Sequence, residues 1–295
     1  MTILETNQLS KSYGKIKALQ NLNLKINQGD VVGILGPNGS GKTTTLGIVL
    51  SILKQDVGNF IWFEDRYGVH HRKHIGAVLE TPNFYPYLNA DQNLQIVARI
   101  KEISQPKIDE ILDIVGLTSR RTSPFQSYSL GMKQRLAIGA TLLGDPQVLI
   151  FDEPTNGLDP QGIADVRTVI KSVAQTNKTI IMASHILDEV EKICSHVAIL
   201  KNGNLLASGS IGSILSNAQF AEINAENQDQ LVSWIEQQPY IVLIKRDNKI
   251  IECSLDDTIT AAQLNINLQN DGIALTHLVV RPRKLEEEFI SITSK

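Results

Sequence analysis

The sequence predicts an α/β fold, in which a largely parallel β-sheet is covered by helices and interrupted by an inserted helical subdomain. A small α+β domain follows it. Residues 31–35 are all apolar, as in a strand buried on both faces, and a glycine-rich turn and a helical pattern come next. Apolar strands alternate with helical patterns again over residues 147–200. A separate β-α-β-β-α-β order begins near residue 215.

Composition narrows the class of protein before any motif is considered. The length of 295 residues suggests two domains, and 42% hydrophobic with 20% charged residues indicates a globular chain rather than a disordered or fibrous one. We expect no membrane span and no secretory signal, because no long apolar run occurs. The net charge of −3 gives no broad basic surface, so no nucleic-acid partner is expected. The two cysteines form no disulfide framework, which favours a cytoplasmic location.

Hydrophobic periodicity assigns the elements of the first domain, predicted at residues 1–215. Apolar runs and period-two patterns predict strands at 3–9, 18–26, 31–35 and 59–63. A helix is predicted at 42–53, and the helical subdomain, about 84–145, contains helices at 93–103, 107–115 and 131–143. The α/β alternation then returns with strands at 147–151, 178–183 and 196–200 and helices at 160–175 and 186–194.

The second domain is predicted at residues 216–295. Its strands are expected at 219–224, 240–246, 249–255 and 273–280. Its helices are expected at 228–237, 258–268 and 283–292. The first six of these elements follow the order of a small ferredoxin-like sandwich.

A glycine-rich motif lies between the buried strand and the first helix. It fits G-x-x-x-x-G-K-[ST] and consists of Gly36, Pro37, Asn38, Gly39, Ser40, Gly41, Lys42 and Thr43, with Thr44 following. Its glycines allow backbone N–H groups to turn towards phosphate oxygens, and the helix adds the positive end of its dipole. We expect Lys42 to bridge the β- and γ-phosphates of ATP and the Thr43 hydroxyl to bind Mg²⁺.

Two adjacent carboxylates end the apolar run that begins at residue 148. Asp152 and Glu153 would reach the carboxyl-end edge of the sheet, where the phosphate loop also begins. Asp152 is predicted to hold Mg²⁺ and Glu153 to polarise the water that attacks the γ-phosphate. His185 follows the next strand and would lie at the same edge, close enough to contact the γ-phosphate.

The order of these motifs resembles the ATP-binding subunit of ABC transporters, over residues 2 to 215. The resemblance implies an ABC cassette of the P-loop NTPase fold that binds and hydrolyses ATP. Ser129 and Gly131 match the family's signature motif, although the rest of YSLGM departs from L-S-G-G-Q. Asp159 resembles the acidic residue of the D-loop, and Tyr13 resembles the aromatic residue that stacks on adenine. The resemblance implies a head-to-tail pair of two copies, in which each signature motif closes over the ATP of the other copy.

One position departs from the family in a way that suggests a subgroup. Glu80 occupies the place of the Q-loop glutamine and would add a carboxylate ligand for Mg²⁺. Glutamate here, the YSLGMKQRL sequence and the C-terminal residues resemble the exporters tied to resistance against bacitracin-like and lantibiotic peptides. The alternative is a change from glutamine to glutamate without functional consequence.

The leading hypothesis is therefore an ATPase subunit that powers a separate membrane permease and lies on the cytoplasmic face of the membrane through that partner. The alternative is a non-transport ABC ATPase of the translation-factor or DNA-repair type. Such proteins carry tandem cassettes or a long coiled coil, and the sequence has one phosphate loop and no heptad array between residues 54 and 128. A further hypothesis makes the second domain a small-molecule sensor, but its segments offer no constellation of ligand-binding residues.

Overall fold

The computed structural model describes residues 1–79, 83–215, 219–247, 250–256, 258–282 and 284–294. The chain divides into two compact units, Met1–Ser210 and Ile211–Lys295. Each unit has a hydrophobic core of its own.

The strands of the first unit are β1 (Thr2–Tyr13), β2 (Ile16–Asn27), β3 (Val31–Leu35), β4 (Val57–Trp62), β5 (Ile75–Val78), β6 (Val148–Asp152), β7 (Thr179–Ser184), β8 (His196–Lys201) and β9 (Asn204–Ser210). Its α-helices are α1 (Lys42–Val49), α2 (Ala90–Ile100), α3 (Ile108–Ile114), α4 (Leu130–Leu142), α5 (Pro160–Ala174) and α6 (Leu187–Ile193). Short 3-10 helices cover Phe63–Asp65, Gly68–His74, Thr118–Arg120 and Phe125–Ser127.

Within the described residues, these strands form two sheets. The larger sheet has the order β5-β6-β7-β3-β8-β9 and is parallel except for β9. Its central strands β3, β6 and β7 are buried along their whole length, which confirms the expectation from their continuous apolar runs. Strands β2, β1 and β4 form a separate antiparallel sheet, and the sequence patterns predicted neither this partition nor the edge strands β5 and β9.

Two helix boundaries differ from the predicted ones for local reasons. Helix α1 ends at Val49, because Ser51 adopts a left-handed conformation (φ 58°) and the next two N–H groups turn back to the Gly47 carbonyl oxygen. Helix α2 begins at Ala90, because Asn89 forms a capping box in which its side chain and that of Gln92 each accept a hydrogen bond from the other's backbone.

The inserted helices are held by two half-buried arginines. Arg121, in the loop before α4, donates to both carboxylate oxygens of Asp91 at 2.9 and 2.6 Å and lies 2.8 Å from Asp109. These carboxylates raise the pKa of the Arg121 guanidinium, so the group stays charged. Arg135 of α4 donates to the carbonyl oxygens of Val115 and Gly116 at the end of α3. Helices α2, α3 and α4 are thereby joined into one subdomain.

The second unit is a split β-α-β sandwich. Its elements are α7 (Ile211–Ile214), β10 (Gln219–Ala225), α8 (Gln228–Ile235), β11 (Ile241–Arg246), β12 (Ile251–Leu255), α9 (Ala261–Asn270), β13 (Leu275–Pro282) and α10 (Leu285–Ser294). The described strands form an antiparallel sheet of order β11-β12-β10-β13, in which each β-α-β unit encloses a strand of the other. This topology agrees with the predicted ferredoxin-like order.

No helix in the described part of the chain is long and apolar enough to cross a membrane.

Strand β5 packs so closely on α4 that glycine is required at one position. A Cβ atom on Gly76 would lie 2.4 Å from the Thr141 carbonyl oxygen, which is part of a helix backbone and cannot rotate away. Gly76→Ala should therefore destabilise the first unit by about 1–3 kcal/mol through overpacking. Chemical denaturation should detect this loss, whereas Ala77→Ser, at the exposed neighbouring position, should not alter the transition. Equal stability of Gly76→Ala and the wild type would contradict the close contact.

The two cysteines are free, and Cys253 is buried whereas Cys194 is half-buried. Burial raises the pKa of the Cys194 thiol strongly and raises that of Cys253 to about 12. Because the thiolate is the reactive form, we expect iodoacetamide at pH 8 to leave both unmodified in the folded protein. Mass spectrometry should find both alkylated after denaturation. Rapid labelling of either thiol in the native chain would contradict its burial.

Candidate functional site

The loop between β3 and α1 forms a cradle that admits only glycine at two positions. A Cβ atom on Gly36 would lie 2.3 Å from the Leu200 carbonyl oxygen, and one on Gly41 would lie 2.4 Å from the Ala18 carbonyl oxygen. Gly39 and Gly41 also have positive φ angles of 79° and 106°. The strands on both sides thus hold the loop in a conformation that other residues would not adopt.

A turn between β8 and β9 supports the back of this loop. Gly203 donates its N–H to the Ser40 carbonyl oxygen at 3.0 Å, and its own carbonyl oxygen accepts from the Gln20 N–H at 2.8 Å. The Gln20 side chain donates to the Asn202 carbonyl oxygen at 2.9 Å. The sequence patterns predicted no contact of these residues with the phosphate loop. The Asn-Gly pair signals a hairpin turn, but nothing local indicates that the turn touches the phosphate loop.

Lys42 places a buried ammonium group inside the loop. Its side chain is only 6% exposed, and Nζ donates to the carbonyl oxygen of Gly36 at 2.8 Å and to that of Pro37 at 3.4 Å. The same Nζ lies 3.4 Å from Glu153 Oε1. Carbonyl dipoles and a carboxylate therefore compensate the positive charge.

Thr43 and Asp152 meet at the mouth of the site. The Thr43 hydroxyl donates to Asp152 Oδ2 at 2.8 Å, across the boundary between α1 and the end of β6. Asp152 is buried, Thr43 is exposed and Thr44 behind it is half-buried. A hydroxyl and a carboxylate are oxygen donors of the kind that Mg²⁺ prefers.

Glu153 and His185 form a second contact at the same edge of the sheet. His185 Nδ1 lies 2.8 Å from Glu153 Oε2, and the His185 backbone N–H donates to that oxygen at 3.3 Å. Glu153 itself has a left-handed backbone (φ 48°), which is unfavourable for a residue with a Cβ, and its N–H donates to the Ala183 carbonyl oxygen. Because of this turn, the Glu153 side chain contacts His185 while the Asp152 side chain contacts Thr43.

The chemistry of the loop fits a bound triphosphate with a magnesium ion. Ser40 Oγ is buried and has no hydrogen-bond partner within the described ranges. The loop therefore contains a hydroxyl group that can still donate a hydrogen bond. Among the described residues, no three His, Cys, Asp or Glu side chains cluster as a metal site. That result is compatible with Mg²⁺, which binds to one or two protein oxygens and takes its other ligands from water and phosphate.

The other residues predicted to contact nucleotide lie at the end of β1 and at the starts of α4 and α5. Tyr13 ends β1 and is 46% exposed, and Lys11 Nζ lies 5.6 Å from the centroid of its ring. Ser129 caps α4 by accepting from the Met132 N–H, and Asp159 caps α5 by accepting from the Gly162 N–H.

The start of α4 lies against the start of α5, because a Cβ atom on Gly131 would be only 3.2 Å from the Cα atom of Gly162. The predicted Glu80 lies outside the described residues.

Comparison with known sequences identifies the family. Residues 19–156 match the family model described as "ABC transporter". The chain is 34% identical over 297 residues to an uncharacterised ABC transporter ATP-binding protein, YdbJ of Bacillus subtilis, covering 99% of this chain and 96% of the relative. It is 41% identical to the bacitracin transport ATP-binding protein BcrA of Bacillus licheniformis, over 80% of this chain and 79% of BcrA. It is 37% identical to the lantibiotic transport ATP-binding protein SrtF of Streptococcus pyogenes, over 69% of this chain and 89% of SrtF.

Solved structures agree with this assignment. The dimeric, post-hydrolysis ATP-binding cassette MJ0796, bound to ADP and Pi, is 26% identical and superimposes with a TM-score of 0.62, covering 71% of this chain and 99% of that cassette. The predicted ABC cassette fold and the resemblance to the bacitracin and lantibiotic subgroup are thereby confirmed. The chain belongs to the ABC transporter family, as an ATP-binding subunit with ATPase activity.

Proposed function

We propose that this chain powers export through a separate membrane permease, with peptide antibiotics of the bacitracin or lantibiotic type as the class of substrate. The names of BcrA and SrtF, which are bacitracin and lantibiotic transport proteins, support this class. The chain would then lie on the cytoplasmic face of the membrane, attached through its permease. The relatives do not favour the non-transport alternative, because their names describe transport.

The observation that supports ATP hydrolysis as the source of power is the convergence of three groups on one point. Glu153 lies 3.4 Å from Lys42 through one carboxylate oxygen and 2.8 Å from His185 through the other. A base, a cation and an imidazole in this arrangement are the groups that hydrolysis of a γ-phosphate requires.

The phosphate-binding role belongs to the loop and Lys42. The backbone N–H groups of Gly36, Asn38, Gly39, Ser40, Gly41, Lys42, Thr43 and Thr44 are assigned to the phosphates, and Pro37, which has no N–H, is assigned to the turn that presents them. The Lys42 ammonium would exchange its carbonyl partners for phosphate oxygens, because a charge-assisted hydrogen bond to an anion is stronger than one to a neutral carbonyl. Tyr13 is assigned to the adenine, on which its exposed ring would stack.

Thr43 and Asp152 would hold Mg²⁺, and Glu80 is proposed as a further ligand. The ion would neutralise charge on the β- and γ-phosphates when bound. Their 2.8 Å hydrogen bond already places the hydroxyl and carboxylate oxygens side by side.

Glu153 is proposed to accept a proton from the attacking water, and His185 to contact the γ-phosphate. The contact with His185 restricts the Glu153 carboxylate to one orientation, so that less freedom is lost when the water is bound.

Ser129, Gly131 and Asp159 are assigned to the ATP of a second copy. The N-terminus of α4 offers free N–H groups and a positive dipole end, which suit an anion. The dimeric state of the related cassette MJ0796 supports a pair of chains, which we propose is head-to-tail with two ATP molecules in an isologous interface.

Glu153→Gln tests the role of the base. The amide preserves shape but cannot accept the proton, so the turnover number should fall by about 100-fold or more. ATP should still bind, and the variant should accumulate as an ATP-dependent dimer on size exclusion. Asp188→Asn is a suitable control, because Asp188 is exposed and forms an ion pair with Lys192 on α6. Undiminished ATPase activity of Glu153→Gln would refute the assignment.

Affinity purification from solubilised membranes tests the transport role. We expect a polytopic membrane protein to co-purify with the chain, and the Glu153→Gln variant with ATP should retain it. The same purification after detergent-free lysis serves as the control, since an integral partner should then remain in the membrane pellet. Ribosomal or DNA-repair proteins as the reproducible partners would reject the assignment.

A further inference from the structure

Helix α5 touches the start of α4 backbone to backbone. Gly162, in the first turn of α5, brings its Cα atom within 3.2 Å of the position that a Cβ atom on Gly131 would occupy. A Cβ atom on Gly162 would in turn lie 3.7 Å from the Gly131 Cα atom. The two glycines therefore allow an approach of two helix N-termini that larger residues would not permit.

The same glycine is also close to the cap of its own helix. Gly162 donates its N–H to Asp159 Oδ1 at 3.0 Å. A Cβ atom added to Gly162 would lie 2.7 Å from that oxygen, closer than real Cβ contacts allow. A methyl group at this position would therefore move the Asp159 carboxylate from the place in which it caps α5.

Ion pairs on two sides limit the freedom of α5 to adjust. Arg135 of α4 lies 3.6 Å from Asp165, one turn along from the glycine contact. Arg167 donates at 3.0 Å to Glu189 of α6, whose side chain is only 5% exposed. Because α6 follows His185 in the chain, a shift of α5 would disturb both the α4 side and the His185 side of the first unit.

We propose that Gly162 is a positioning residue, which sets the spacing between the Ser129–Gly131 turn and the Asp159 cap so that both contact the nucleotide held by a second copy. This inference rests on the proposed head-to-tail pair. Gly162 would touch neither nucleotide nor water itself. It would act through the two helix N-termini that flank it.

Alanine at this position separates a positioning role from a general structural one. Helix propensity alone favours alanine over glycine within a helix, so Gly162→Ala should be tolerated or gain stability if the spacing at this position has no role. The 2.7 Å contact predicts the opposite for function, because the added methyl group must displace the Asp159 carboxylate. Small displacements of binding groups have large effects on rate.

The test compares Gly162→Ala with Gly212→Ala, each alone and combined with Glu153→Gln. Gly212 is the matched control, because it also lies in a helix and a Cβ atom there would meet nothing within 4 Å. For Gly162→Ala we expect kcat to fall about 10- to 100-fold. ATP affinity of the dilute single chain, measured with a fluorescent ATP analogue, should change less than about twofold, because the chain's own phosphate loop is untouched.

Size exclusion with ATP supplies the decisive readout. Glu153→Gln and Glu153→Gln/Gly212→Ala should dimerise, whereas Glu153→Gln/Gly162→Ala should stay monomeric at the same concentration. Equal dimerisation of all three would overturn the role of Gly162 and leave the proposed pair intact. Failure of Glu153→Gln itself to dimerise would overturn the pair and this inference together. A Gly162→Ala chain that loses ATP affinity in parallel with kcat would also overturn it, since its defect would then be general.

Discussion

The buried ammonium group of Lys42 is the constraint on which the site depends. A cation that is 6% exposed is costly unless oxygens surround it, and here two loop carbonyls and Glu153 do so. That requirement is met by the loop, which turns back on itself, and by the end of β6, which places Glu153 beside it. A phosphate group can replace the two carbonyl partners of Lys42, because a charge-assisted hydrogen bond to an anion is stronger than one to a neutral carbonyl oxygen.

A second constraint links the separate parts of the first unit. Helix α5 begins at the Asp159 cap, meets α4 through Gly131 and Gly162, and is joined to α6 by the Arg167–Glu189 ion pair. These packing contacts connect two sets of residues. One set surrounds the chain's own phosphate loop, and the other set is assigned to the nucleotide of a second copy.

Sequence patterns predicted the elements whose signals are local. Continuous apolar runs identified β3, β6 and β7, because a strand that is buried on both faces carries mostly apolar side chains on both of them. They missed the edge strands β5 and β9, which are short or only half-buried and carry weak periodicity. The end of α1 was also predicted too late, because the left-handed conformation of Ser51 has no glycine or asparagine to signal it.

The sequence by itself determined the chemistry of the site. The phosphate-loop motif, the Asp152–Glu153 pair at a strand end and His185 after the next strand specify which groups are present, since each depends on residue type and short spacing. Only the tertiary structure decided how they meet. The contacts of Glu153 with Lys42, of Gly203 with the loop and of Gly131 with Gly162 join residues far apart in the chain. Such contacts arise from the packing of whole elements, and no local pattern in the sequence encodes them.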